Sequence, residues 1–132
     1  MSRILLVDDE AELAAELAEA LELRGFDVVT ASSGAEALTR LAADPEIAVV
    51  VTDKRMPRMD GLQLAATLRA PPWSARRLGI ILLTGFVLAE DRERAATLRI
   101  NAMVTKPVMS QNLVAAIQTV MADPENGPTP SL

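Results

Sequence analysis

The chain has 132 residues, 50% of them hydrophobic and 2% aromatic, with a net charge of −5 from 18 acids against 13 bases. That length suits one domain with a core of Ala, Val, Ile, Leu and Met, and the acidic balance argues against nucleic acid or an anionic membrane as a direct partner. Cys and His are both absent, which excludes thiolate zinc sites, Cys nucleophiles, Ser-His-Asp triads and histidine proton shuttles.

The opening MSRILLVDDE sets two acids directly behind a short apolar run. The run is too short for a secretory signal or a membrane span, so a cytoplasmic location is expected. Residues 3–7 (RILLV) read as the first strand. A helix over 10–24 follows, with Leu13, Leu17 and Leu21 as its core stripe and Gly25 at its stop. Residues 27–31 (DVVTA) are a second strand. Ser33 with Glu36 forms a capping-box pattern that opens a helix to about residue 43. Residues 47–52 (IAVVVT) are a third strand. Asp60-Gly-Leu-Gln63 caps a third helix, which Pro71-Pro72 ends. Trp73, in that proline-rich connection, is expected to cover the edge of the core. Residues 79–83 (GIILL) are a fourth strand, and 88–99 a charged amphipathic helix. Its mixed charges, Glu90, Asp91, Arg92, Glu93, Arg94 and Arg99, read as a solvated face. Residues 102–105 (AMVT) are a short fifth strand, and Ser110 opens a last helix to about residue 122. From residue 123 the chain reads DPENGPTPSL, the composition of a disordered tail or the start of a linker.

Strand and helix alternate five times, and the central strands are apolar on both faces. The pattern predicts an α/β three-layer sandwich, a parallel doubly wound sheet with helices on both sides. Ligands of such sheets sit beyond the carboxyl ends of the strands. Those ends carry Asp8 and Asp9 after the first strand, Asp53 after the third, Thr84 at the fourth and Lys106 after the fifth. Two like charges ~4 Å apart, at an effective dielectric of ~20, repel by about 4 kcal/mol. A cation relieves that repulsion, and oxygen-only ligands suit a hard ion, with Mg²⁺ the usual partner of phosphate. Asp53 then has a task as a nucleophile toward phosphorus. Thr84 and Lys106 are placed to hold phosphoryl oxygens. Asp9 with Glu12 also fits a plain helix cap, Asp53 an ordinary turn acid, and Asp60 a cap and nothing more.

The pieces LLVDDE (5–10), DKRMPRMDG (53–61), LLTG (82–85) and TKP (105–107) resemble a response-regulator receiver domain of bacterial two-component signalling, of the chemotaxis-receiver kind. The second piece matches the family's D-x-x-M-P-x-M-D-G at every fixed position. The resemblance implies a flavodoxin-like sheet in the order 2-1-3-4-5 with five helices over residues 1–122. It implies that Asp53 accepts a phosphoryl group from the phosphohistidine of a histidine kinase or phosphotransfer protein. Mg²⁺ would be held by Asp8, Asp9, Asp53 and the backbone carbonyl of Arg55. The face of the fourth helix, fifth strand and fifth helix would serve an effector, an output domain or a homodimer. The kinase would approach near the first helix and the strand-tip loops. On this reading the chain is a signalling switch, and it catalyses only its own phosphorylation and dephosphorylation.

The chain departs from the family at particular positions. Met103 stands where an aromatic residue usually follows the switching movement. Arg99-Ile100 replace a common Gly-Ala. Arg55 and Phe86, two residues beyond Asp53 and Thr84, occupy positions that tune hydrolysis of the acyl phosphate. Two other functions compete: a degenerate receiver that binds partners without phosphorylation, and a haloacid-dehalogenase-type phosphatase. The latter needs D-x-D where this chain has Asp8-Asp9-Glu10.

Overall fold

A computed structural model describes residues 2–123. The tail expected from residue 123 lies, past Asp123, outside the described residues. Five strands, β1 (Arg3–Val7), β2 (Asp27–Ala31), β3 (Ile47–Asp53), β4 (Gly79–Thr84) and β5 (Ala102–Thr105), form one sheet in the order β2-β1-β3-β4-β5. Every pairing is parallel. Four helices connect them, α1 (Ala11–Glu22), α2 (Gly34–Ala43), α3 (Gly61–Leu68) and α4 (Ala89–Thr97), and a fifth, α5 (Ser110–Ala122), follows the last strand. This is the flavodoxin-like fold expected. No helix among the described residues is long and apolar enough to cross a membrane.

Alternate strand residues feed two cores. Ile4, Leu6, Val49, Val51, Ile81 and Leu83 face α1 and α5, where Ala18, Leu21, Leu113 and Ile117 meet them. Leu5, Val7, Val50 and Ile80 face the other way, onto Ala37, Leu41, Leu64 and Leu68 of α2 and α3. Each fully buried Leu, Ile or Val contributes about 1.5–3 kcal/mol through removal from water. Trp73 is half-buried against this second core, as expected, and so is Leu98 just past α4.

The expected Leu13/Leu17/Leu21 stripe is corrected at its first member. Leu13 is 42% exposed, and the buried face of α1 is Ala14, Ala18 and Leu21, with Leu17 packed at its margin. The cause is angular. At about 100° per residue, eight residues drift by about 80° around the helix, so a strict i, i+4, i+8 series leaves the core side. Ser33 caps α2 by accepting from the Glu36 N–H at 3.1 Å, but the Glu36 carboxylate takes the Ser32 hydroxyl, so the box is half closed. At α3 the Asp60–Gln63 box is complete.

Arg99 has φ 53°, the left-handed turn that a glycine would take more readily. The Arg69 guanidinium holds it there. It donates to the carbonyls of Leu98 (2.9 Å), Leu78 (2.6 Å) and Arg99 (2.8 Å). Burial, and then the neighbouring Arg99, lower its pKa from the ordinary value. At the same amino-terminal edge of the sheet, Arg3 bridges Asp27 (2.9 Å) and Asp44 (2.5 Å).

Candidate functional site

The carboxyl ends of β1, β3, β4 and β5 deliver the polar residues picked out in the sequence to one crevice. β3 runs one residue further than expected, so Asp53 is itself a strand residue, registered against Leu83 of β4. Apolar packing beneath it leaves Asp53 4% and Asp8 3% exposed, while Asp9 lies in solvent. Oxygens of the three carboxylates lie within 4.8 Å of one another. Burial pushes the Asp8 carboxyl above its ordinary value. The Glu10 N–H, donating to it at 2.9 Å, works against this, and the charges of Asp53 and Asp9 add to it. Asp9 does not cap α1; the cap position is Glu10, with no side-chain hydrogen bond.

Lys106 reaches back from the end of β5 and pairs with Asp53 Oδ1 at 2.7 Å. Thr84, buried and registered against Thr105, donates its hydroxyl to the Phe86 carbonyl at 2.5 Å. Asp53, Thr84 and Lys106 share a cleft of about 320 Å³ with Lys54, Arg55, Gly85, Phe86 and Leu88. A neighbouring hollow of about 510 Å³ adds Asp9, Met56, Pro57 and Asp60 to Lys54 and Arg55. Phe86 borders the first cleft but is 74% exposed, so its ring stands mostly in solvent. Met103 is half-buried in β5, opposite Leu82.

Three oxyanions this close, with one cation on Asp53 Oδ1, fit a hard divalent ion. The donor set is all oxygen, and a divalent ion would offset both the burial that chiefly raises Asp8 and the smaller repulsion from Asp53 and Asp9. Asp8, Asp9 and Asp53 are the side chains able to hold it.

Two features were not legible in the sequence. Gly61 leaves no room for a side chain: a Cβ there would lie 2.4 Å from the Asp53 carbonyl oxygen. Its N–H donates to the Lys54 carbonyl at 2.8 Å, so the loop after Asp53 folds back onto the start of α3. The second feature corrects the solvated reading of α4. Asp91 is 5% exposed and pairs with Lys54 Nζ at 2.7 Å. It also accepts from the Leu88 N–H at 3.0 Å. Lys54, and then that N–H, lower the Asp91 pKa. The carboxylate is covered by its neighbours rather than sunk in the core. The pair joins residues 37 apart in sequence, beyond the reach of any local pattern.

Comparison with known proteins points one way. The family described as the response regulator receiver domain matches residues 4–118. The CpxR homolog of Haemophilus influenzae, a transcriptional regulatory protein, is 34% identical over 131 residues, covering 96% of this chain and 54% of its own length. A response regulator receiver protein of Pseudomonas putida superposes with a TM-score of 0.82 at 31% identity, covering 89% of this chain and 96% of its own. Chemotaxis protein CheY4 of Vibrio cholerae superposes at 0.83 with 25% identity, covering 91% and 98%. The chain thus spans about half the length of the transcriptional regulators it matches.

Proposed function

The chain belongs to the response regulator receiver family, and from that premise we propose that it is a phosphoacceptor switch whose acceptor is Asp53. The observation that carries this reading is the buried Asp53 carboxylate, with one oxygen on Lys106 at 2.7 Å and its neighbours Asp8 and Asp9 close by. An Asp53 oxygen attacks the phosphorus of a partner's phosphohistidine. The phosphorus–nitrogen bond breaks, the imidazole leaves with a proton from solvent, and an acyl phosphate remains. Lys106 turns from the carboxylate to a phosphoryl oxygen. Thr84 releases the Phe86 carbonyl and donates to another.

Asp8, Asp9, Asp53 and the Arg55 backbone carbonyl are the ligands for Mg²⁺, which when bound offsets charge on the phosphoryl oxygens. The chain turns over no other substrate in this reading; it carries out its own phosphorylation and dephosphorylation. Its partners are a histidine kinase or phosphotransfer protein on one side, and on the other an effector, an output domain or a second copy at the α4–β5–α5 face.

The test is the mass of the protein after incubation with Mg²⁺ and acetyl phosphate. One added phosphoryl group, absent in Asp53→Asn, is expected. Turnover without an adduct points to a phosphatase, and neither adduct nor turnover to a degenerate binder; each overturns the proposal.

A further inference from the structure

The fourth helix is attached to the rest of the molecule mainly by charge. Of its residues, AEDRERAAT, only Asp91 and Ala95 are buried. Its first turn is held by the Lys54–Asp91 pair at 2.7 Å, and the carbonyls just past its last turn by Arg69. Little apolar area secures it between those two points, so helix packing alone does not fix its position. The two attachments differ in what surrounds them. Arg69 bonds neutral carbonyls, well away from the carboxylate cluster. Lys54 follows Asp53 in the chain, its N–H donates to the Leu83 carbonyl at 2.8 Å, and the residue lines the same cleft as Asp53, Thr84 and Lys106.

We propose that the Lys54–Asp91 ion pair is a latch on α4: negative charge gained on Asp53 draws the Lys54 ammonium out of the pair and frees the helix's first turn, while Arg69 keeps its last turn in place. This rests on Asp53 being the phosphoacceptor. A phosphoryl group brings roughly two negative charges and three acceptor oxygens to the cleft. Asp91 offers a single charge and already shares its oxygen Oδ2 with the Leu88 N–H. Lys54 therefore moves toward the stronger anion, and Asp91 loses the partner that holds it under cover. In this device Lys54 positions α4; it takes no part in the bond that forms at Asp53.

The composition of the chain makes the test direct, because Lys54 and Lys106 are its only lysines. Side-chain ¹⁵N-lysine labelling gives two ammonium signals, both from the cleft. With Mg²⁺ and acetyl phosphate, and the added phosphoryl group verified by mass, both signals are expected to shift. The amides of Arg92 to Ala95 should exchange with solvent about tenfold faster, while those of Leu98 to Ile100 hold. Asp91→Asn should show the faster exchange before phosphorylation, gain nothing after it, and still take up the phosphoryl group. The charge-swapped double variant Lys54→Asp, Asp91→Lys should restore slow exchange in the resting state and lose the response. The latch is overturned if the phosphorylated wild type keeps its Lys54 signal and α4 exchange unchanged, a result that needs no variant. It is equally overturned if Asp91→Asn leaves α4 exchange as in the wild type. Absence of any mass gain would remove the phosphoacceptor reading first, and the latch with it.

Discussion

Asp8 sits where two requirements oppose each other. A metal ligand must be ionised, yet burial raises its pKa. Its affinity for Mg²⁺ should therefore keep rising with pH beyond the ordinary Asp range, by about tenfold per pH unit while the carboxyl is protonated, and then level off. Titrating the ion across pH by calorimetry checks this, and Asp8→Asn should flatten the profile. In the metal-free chain a carboxyl raised on folding favours the fold at low pH, and that favour is lost as pH rises through its folded value. Asp8→Asn should then raise the denaturation midpoint in chelator at neutral pH. At the same scale, Arg55 and Phe86 flank the acceptor. Arg55→Asn should shorten the acyl-phosphate lifetime about tenfold, equal to about 1.4 kcal/mol of barrier. Phe86→Ala should shorten it less, since the ring is largely in solvent; following loss of the added mass after acetyl phosphate is removed measures both. The acids and Lys106 were legible because each lies at or just past the end of a strand, and parallel topology brings all strand ends to one edge. Asp91 was not, because its pairing depends on where α4 lands.

Helix α1 shows how far periodicity carries at the scale of an element. A core stripe of leucines was expected, and the helix instead seats Ala14 and Ala18 against the sheet with Leu21 below them. Small residues there let the helix axis approach closely. Leu13→Ala should accordingly change stability by less than about 0.5 kcal/mol, whereas Leu21→Ala should cost about 2–5 kcal/mol; urea midpoints of the two variants check the contrast. Strand bounds were read to within a residue because apolar runs flanked by Gly, Asp or Thr are short and sharply bounded. At Arg99 the departure from the family's Gly-Ala was legible, but what holds an arginine at positive φ was not. Its explanation lies 30 residues earlier, in Arg69.

Charge is divided between the two edges of the sheet. The carboxyl edge collects the three acids of the cluster and both lysines, an arrangement poised for change. The amino edge is tied by Arg3 to Asp27 and Asp44. Arg3, with the Glu46 N–H and Arg76, keeps the Asp44 carboxyl below its ordinary range. A carboxyl depressed on folding adds stability above its unfolded pKa of about 3.9, and that stability is lost as pH falls through the folded value. Wild type should thus exceed Asp44→Asn in urea midpoint at about pH 7 and lose that advantage progressively as pH falls below about 3.9. The sandwich and strand order were legible from alternation and resemblance, while this rear bridge was not, because it joins three elements by side chains alone.

With one Trp and no Tyr, the intrinsic fluorescence of this protein is the emission of a single indole, Trp73. That ring rests on the same core as Leu98, the residue just past the end of α4 that Arg69 holds. Its colour and quenching therefore register events beneath the helix's anchored end and are blind to its opposite end. A helix that swings about that anchor leaves the emission nearly constant during signalling, and a helix that detaches whole does not.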